Sequence, residues 1–229
     1  MNDGLLRDVP VVILCGGRGL RLGDQTREVP KPLVEVGGMP VLWHVMKIYA
    51  ADGFRRFVFC LGYLGEKIRE WFVRRQGGCD FVLTLRDGKI KYLNRRDDED
   101  WAITFVDTGQ DVETGERLRR VKPYVGEGTF FVSYADGVSD ISPRALLATH
   151  RDAGRIATMT CVRPRTSFGI VEVVENRVTA YREKPLLEER INGGFFCCEP
   201  KMFGVIEKNE SFEGQPMQRL IAAGDLAAY

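Results

Sequence analysis

The sequence predicts an α/β fold in which a mostly parallel sheet is flanked by helices, with β-hairpin insertions. Short apolar runs, typical of buried strands, alternate along the chain with segments of helical apolar spacing. Alternation of this kind favours a parallel sheet that is covered on both faces. Two further pairs of strand-like runs surround short turn sequences, as in β-hairpins.

The elements follow in a regular order along the chain. Strands are expected at 11–14, 57–61, 103–106, 129–134 and 157–162. Helices are expected at 41–49, at 66–72, from 117 onwards, at 143–153 and at 216–223. Hairpins are expected around Arg86-Asp87-Gly88 and around Glu175-Asn176. Without an internal repeat or a linker, residues 1–229 are expected to form a single domain.

Composition excludes several classes of protein. The 229 residues are 44% hydrophobic and 28% charged, and a formal net charge of +1 gives no indication of a nucleic-acid or membrane partner. No apolar run approaches the roughly 18 residues of a membrane span, and the N-terminus lacks a signal-peptide pattern. We therefore expect a cytoplasmic protein. The six cysteines lack C-x-x-C spacing and are expected to be reduced and structural.

A glycine-rich turn after the first strand is the strongest functional feature. Gly16, Gly17 and Gly19 leave the backbone N–H groups bare, and such turns suit phosphate oxygens. Arg21 and Lys31 add positive charge beside it. The pattern is not the dinucleotide fingerprint, because its third glycine comes too early. It is not a P-loop, because the turn does not end in Gly-Lys-Ser/Thr. An ordinary strand-to-helix turn with two surface cations is the alternative.

Two other charged residues occupy informative positions. Asp136 follows the strand at 129–134, and open α/β sheets bind ligands at the carboxyl ends of their strands. Its alternative role is to form a turn or cap a helix before Gly137. Lys184 follows the second hairpin, within Glu183-Lys184-Pro185, and could also be a plain surface lysine.

Taken together, these motifs resemble the sugar-phosphate nucleotidyltransferases, in particular the glucose-1-phosphate cytidylyltransferase branch. The resemblance extends over nearly the whole chain. Its motifs, in family order, are Gly16-Gly17-Arg18-Gly19-Leu20-Arg21-Leu22, Pro30-Lys31-Pro32, Leu42-Trp43-His44, Val106-Asp107-Thr108-Gly109, Thr114-Gly115-Glu116-Arg117-Leu118, Tyr134-Ala135-Asp136-Gly137-Val138, Glu183-Lys184-Pro185 and Ile191-Asn192-Gly193-Gly194-Phe195-Phe196. It implies a Rossmann-like, GT-A-like fold and transfer of CMP from CTP to glucose 1-phosphate, with release of pyrophosphate. We also expect a homo-oligomer.

The resemblance assigns roles residue by residue. It places the three glycines of the turn at the triphosphate, Arg21 at the β- and γ-phosphates and Lys31 at the α-phosphate. Asp136 would hold Mg²⁺, a hard cation suited to carboxylate and phosphate oxygens. Residues implied to read the pyrimidine ring are Thr114, Gly115 and Arg117. Lys184 would bind the phosphate of the sugar phosphate, and its sugar would be lined by Gly169, Glu183 and Asn192.

Two departures from the family leave alternatives open. Cys15 and Leu20 stand where the family usually has Ala and Thr, which could mark a subgroup with another substrate. The family's second metal-binding Asp lies beyond the tail helix, and this sequence ends before it, so the family's C-terminal segment is expected to be absent. The alternatives are a cytidylyltransferase for another phosphorylated or phosphonate acceptor, and a catalytically silent, nucleotide-binding regulatory subunit.

Overall fold

The fold is organised around one seven-stranded sheet. The computed structural model describes residues 6–17, 29–74, 80–93 and 99–229. In spatial order, the strands of the sheet are β13 (Leu226–Ala228), β9 (Ala157–Val162), β12 (Ile191–Cys198), β8 (Phe130–Tyr134), β1 (Pro10–Leu14), β4 (Arg56–Leu61) and β7 (Ala102–Asp107). Strands β8, β1, β4 and β7 are parallel, and so are β9 and β13, whereas β12 runs antiparallel to both of its neighbours. The prediction of a mostly parallel sheet is confirmed.

Helices cover both faces of the sheet. They are α1 (Val41–Ala51), α2 (Gly65–Arg74), α3 (Thr114–Val125), α4 (Pro143–Ala153), α5 (Met202–Val205) and α6 (Gln215–Ala223). Because side chains alternate along a strand, Val11 and Ile13 of β1 belong to one core with α1, α2 and α4. Val12 and Leu14 belong to a second core with α3, α5 and α6. In the described part of the chain, no helix is long and apolar enough to cross a membrane.

Among the described residues, three two-stranded hairpins lie outside the main sheet. They are β2 (Glu35–Val36) with β3 (Met39–Pro40), β5 (Phe81–Thr84) with β6 (Lys89–Tyr92), and β10 (Ile170–Val174) with β11 (Arg177–Arg182). The two longer ones are the predicted insertions, and both are confirmed. Glu175 and Asn176 turn the second hairpin with positive φ angles of 47° and 66°, a conformation that Asn tolerates better than most residues.

One predicted boundary is wrong in a way that matters for function. Helix α3 begins at Thr114, three residues before the predicted start at 117. The first turn carries Thr114, Gly115 and Glu116, which lack helical apolar spacing. They are held by contacts with a segment distant in sequence: the Phe212 backbone N–H donates to Thr114 Oγ1 (2.9 Å). Thr114 and Arg117 therefore project from a rigid helix and not from a loop.

The cysteines behave as expected in the described residues. Five of them are free thiols, and Cys79 lies outside those residues. Cys15, Cys60, Cys197 and Cys198 are buried, and burial raises the pKa of each thiol. They act as small apolar side chains of the core.

Candidate active site

A cavity of about 560 Å³ opens at the carboxyl ends of β1 and β8. It is lined by Leu14, Cys15, Gly16, Gly17, Lys31, Pro32, Val112, Glu113, Thr114, Arg117, Tyr134, Ala135 and Asp136. The sheet thus brings together six residues that the sequence assigned to substrate or metal: Gly16, Gly17, Lys31, Thr114, Arg117 and Asp136. Gly19 and Arg21, which were assigned to the triphosphate, lie outside the described residues.

The charged centre of this cavity is an ion pair between Lys31 and Asp136. Lys31 begins a short 3-10 turn between Pro30 and Pro32, and the buried Pro32 anchors that turn. Asp136 lies two residues after Tyr134, the last residue of β8, just beyond the end of the strand as predicted. The two side chains are 38% and 34% exposed, so water and ligands can reach both of them. Without a ligand, each charge is thus neutralised by the other and remains accessible.

Arg117 lies behind the glycine turn and is 4% exposed. Its Nη1 donates to Leu61 O (3.3 Å), Thr108 Oγ1 (3.0 Å) and Gly109 O (2.6 Å). Its Nη2 donates to Gly16 O (3.2 Å) and Gln110 O (2.9 Å). Burial lowers the pKa of the guanidinium, although arginine remains protonated in proteins. Arg117 therefore joins the glycine turn to the ends of β4 and β7.

The two described glycines of the turn differ in their surroundings. A Cβ on Gly16 would lie 2.2 Å from Arg117 Nη1 and 2.4 Å from its Cζ. A Cβ on Gly17 would meet nothing within 4 Å. Gly16 is therefore required by the close approach of Arg117, while Gly17 leaves open space at the cavity. The pyrimidine-reading role that the resemblance assigns to Arg117 stays a prediction beside this positioning role.

Gly115 also has a packing role. A Cβ there would lie 2.6 Å from Glu210 O and 3.0 Å from Ile206 Cγ2. The glycine lets α3 approach the segment before α6, and Gly115 is not part of the cavity lining. The role of Gly115 at the pyrimidine ring stays a prediction. Because glycine has no side chain, only its backbone atoms could contact the ring.

Asn192 reaches the cavity through Tyr134. The Asn192 side-chain amide donates to the Tyr134 hydroxyl (3.3 Å), and that hydroxyl donates to Glu213 Oε1 (2.6 Å). Burial and the hydrogen bond to the Glu213 carboxylate raise the pKa of Tyr134. A Cβ on Gly194 would lie 2.9 Å from the Tyr134 ring, so this glycine lets the ring pack closely. Tyr134 thus joins Asn192 to the cavity wall.

Gly169, Glu183 and Lys184 form a separate group beside the β10–β11 hairpin. A Cβ on Gly169 would lie 2.6 Å from the Tyr181 hydroxyl, which donates to Glu183. Lys184 Nζ is 3.8 Å from Glu183. None of the three lines the cavity to which Gly16 and Gly17 belong. Lys184 has a φ of 44°, and residues other than glycine adopt such angles at a cost that is often found at functional sites.

The donor atoms at the cavity fit a metal held mainly by its substrate. In the described ranges, no group of three or more His, Cys, Asp or Glu side chains could hold a metal ion. Asp136 offers one accessible carboxylate at the cavity. Mg²⁺ is commonly bound by one or two carboxylates together with substrate phosphates and water. Asp136 therefore offers one carboxylate ligand for a divalent cation that also binds phosphate oxygens.

Sequence reasoning missed two residues that shape the cavity wall. Tyr134 could have been found, because it ends the strand that leads to Asp136 and so lies at the ligand-binding edge. Glu213 carried no such signal. It stands before α6, and its partners Tyr134 and Thr114 are 79 and 99 residues away in sequence.

Comparisons with known proteins agree with this geometry. Residues 10–229 match the family described as Nucleotidyl transferase. The chain is 39% identical over 221 residues to a Bacillus subtilis (strain 168) protein named "Probable glucose-1-phosphate cytidylyltransferase", covering 95% of this chain and 86% of that protein. Glucose-1-phosphate cytidylyltransferase of Salmonella typhi is 37% identical over 222 residues, with the same shares covered. The solved structure of HddC from Yersinia pseudotuberculosis shares the fold, with a TM-score of 0.70 at 20% identity over 96% of this chain and 89% of that one.

Proposed function

The chain belongs to the nucleotidyl transferase family, and from that premise we propose that it transfers CMP from CTP to glucose 1-phosphate and releases pyrophosphate. The named relatives at 37–39% identity support both the nucleotide and the acceptor. The observation that carries the proposal is the placement of Lys31, Asp136 and the glycine turn around one cavity.

This arrangement suits a displacement at phosphorus. A phosphate oxygen of glucose 1-phosphate attacks the α-phosphorus of CTP, the new P–O bond forms, and the bond to the leaving pyrophosphate breaks. The attacking oxygen is already an anion, so the chain needs no nucleophile or general base. It must instead hold two anions together and stabilise the charge on the α-phosphoryl group.

The residues of the glycine turn, of the cavity and of the group beside the β10–β11 hairpin would have separate roles. We assign the bare N–H groups of the glycine turn, together with Arg21, to the triphosphate and the Lys31 ammonium to the α-phosphate. Lys31 would exchange the Asp136 carboxylate for phosphate oxygens, which releases Asp136 for a cation. Thr114, Gly115 and Arg117 would face the base. Gly169, Glu183, Lys184 and Asn192 would bind the sugar phosphate.

We assign the cation to Mg²⁺, held by Asp136 with phosphate oxygens and water. One carboxylate together with triphosphate oxygens is a suitable ligand set for Mg²⁺. The bound ion would neutralise part of the phosphate charge. A cytoplasmic location, a homo-oligomeric state and the assignment of residues 1–229 to a single domain stay predictions.

The proposal is tested by pyrophosphate release. The protein is incubated with each of the four nucleoside triphosphates and several sugar 1-phosphates, with MgCl₂ present. We expect release to be fastest with CTP and glucose 1-phosphate. Asp136→Asn keeps the shape of the side chain but removes its charge, so it should abolish turnover. Asp140→Asn, at an exposed position four residues later, is the matched control and should remain active. Absence of release from every pair would favour the silent regulatory subunit.

A further inference from the structure

Two chains of hydrogen bonds end on the carboxylate of Glu213. In the first, the Gly194 backbone N–H donates to Asn192 Oδ1 (2.8 Å), Asn192 Nδ2 donates to Tyr134, and Tyr134 donates to Glu213 Oε1. In the second, the Phe212 backbone N–H donates to Thr114 Oγ1, and Thr114 donates to Glu213 Oε2 (2.7 Å). The Ser211 hydroxyl also donates to Oε2 (2.7 Å). Glu213 therefore contacts Thr114 and Tyr134, two residues of the cavity lining, without lining the cavity itself.

Each chain has a fixed direction. A backbone N–H can only donate, so Gly194 fixes which end of the Asn192 amide faces Tyr134. The amide nitrogen can then only donate to Tyr134, and the Tyr134 proton must go to Glu213. In the same way, the Phe212 N–H directs the Thr114 proton to Glu213. An ionised carboxylate accepts at both oxygens, and Glu213 is the acceptor that both directions require.

The charge state of Glu213 agrees with this role. Burial alone would raise its pKa, but the hydrogen bonds from Tyr134, Ser211 and Thr114 lower it below the ordinary value. The carboxylate is therefore ionised at neutral pH, and it can accept from all three hydroxyl groups at once.

We propose that Glu213 is the positioning residue that orients the Tyr134–Asn192 pair toward the acceptor and Thr114 toward the nucleotide. This inference rests on the proposed function. With its proton committed to Glu213 and one lone pair accepting from Asn192, Tyr134 presents its second oxygen lone pair, and Asn192 keeps a second amide N–H. A donor and an acceptor side by side match one hydroxyl group, which both accepts and donates. The pair would thus select a sugar phosphate by one of its hydroxyl groups.

The first test is Glu213→Gln. A glutamine keeps the shape of the side chain but has only one acceptor oxygen. Either the Tyr134 or the Thr114 hydroxyl must then face the amide NH₂ group, which cannot accept its proton. We expect kcat/KM for glucose 1-phosphate to fall by about tenfold to a hundredfold, as for loss of a charge-assisted hydrogen bond. The preference for glucose 1-phosphate over the monodeoxy analogue that lacks the recognised hydroxyl should also shrink. Glu207→Gln, on the exposed part of the same segment, is the matched control.

Tyr134→Phe provides a second variant that keeps the ring packing. It should lose the same selectivity, and the double variant with Glu213→Gln should lose little more. A purely structural role predicts a different result: kcat/KM would fall equally for glucose 1-phosphate and for every deoxy analogue. That outcome would overturn the proposal.

Failure of the proposed function would be recognised separately. If wild-type protein released no pyrophosphate with any substrate pair, the proposed reaction would be wrong. The network would then be tested in the free protein, by urea unfolding of the two single variants and the double variant. Non-additive losses of stability would support the orientation of Tyr134 by Glu213, and additive losses would overturn it.

Discussion

The contact between Gly16 and Arg117 allows a quantitative test of how the glycine turn is held. A methyl group on Gly16 would lie 2.2, 2.4 and 2.8 Å from Nη1, Cζ and Nε of Arg117. The guanidinium cannot simply swing away, because it donates to five acceptors and is 4% exposed. We expect Gly16→Ala to lower the free energy of unfolding by about 1–3 kcal/mol, the usual cost of overpacking a rigid site.

Arg117→Ala should cost more, about 3–5 kcal/mol. It leaves carbonyl groups of the glycine turn and of residues 61, 109 and 110 without their donor, and such losses cost about 1–3 kcal/mol each when no water replaces it. The full sum is not expected, because the cavity next to Arg117 lets water reach some of these groups. The lower range corresponds to about two of these acceptors left without a donor or water.

The double variant separates the two effects. All three nearest neighbours of a Cβ on Gly16 belong to Arg117, so in the Arg117→Ala background the methyl group enters vacated space. Gly16→Ala should then cost almost nothing, which gives a coupling of about 1–3 kcal/mol. Gly17→Ala is the matched control, and it should change stability by less than about 1 kcal/mol because its Cβ meets nothing within 4 Å.

Urea unfolding, followed by circular dichroism, measures each of these free energies. The reasoning would be refuted if Gly16→Ala cost the same in both backgrounds. It would also fail if Gly16→Ala and Gly17→Ala were equally costly.

Three further predictions concern charge. Lys31→Ala should lower kcat strongly, because the contact proposed for it with the α-phosphoryl group would strengthen in the transition state; an unchanged kcat would contradict this. Lys184→Ala should mainly raise the KM for glucose 1-phosphate, and steady-state kinetics showing a raised KM for CTP alone would reverse our placement of the substrates. Burial would raise the pKa of Glu116, but hydrogen bonds from the Asn209 N–H, Arg119 and Arg120 lower it below its ordinary 4.5. Its contribution to stability is therefore present at neutral pH and lost as the pH falls below about 4.5 through the folded-state pKa. The melting temperatures of wild type and Glu116→Gln should converge there in a pH series, and a constant difference would count against this.

Most of the secondary structure could be predicted from the sequence. The helix at 143–153 and the strand at 157–162 agree with the structure at both ends. Apolar spacing is a local property, and it records which face of each element is buried. The glycine turn and Asp136 could be located for the same reason, since each follows a recognisable strand. The start of α3 was missed because the first turn of that helix has no apolar spacing.

The sequence by itself determined the α/β class, the family and six of the residues that line the cavity. Only the tertiary structure decided the antiparallel insertion of β12 between β8 and β9, the pairing of Lys31 with Asp136, and the positions of Arg117 and Glu213. These contacts join residues far apart in the chain. Local propensity cannot specify such pairings, because they depend on how complete strands and helices pack. The buried Arg117, and Glu213 with its three hydroxyl donors, look like ordinary surface charges until the fold surrounds them with acceptors and donors.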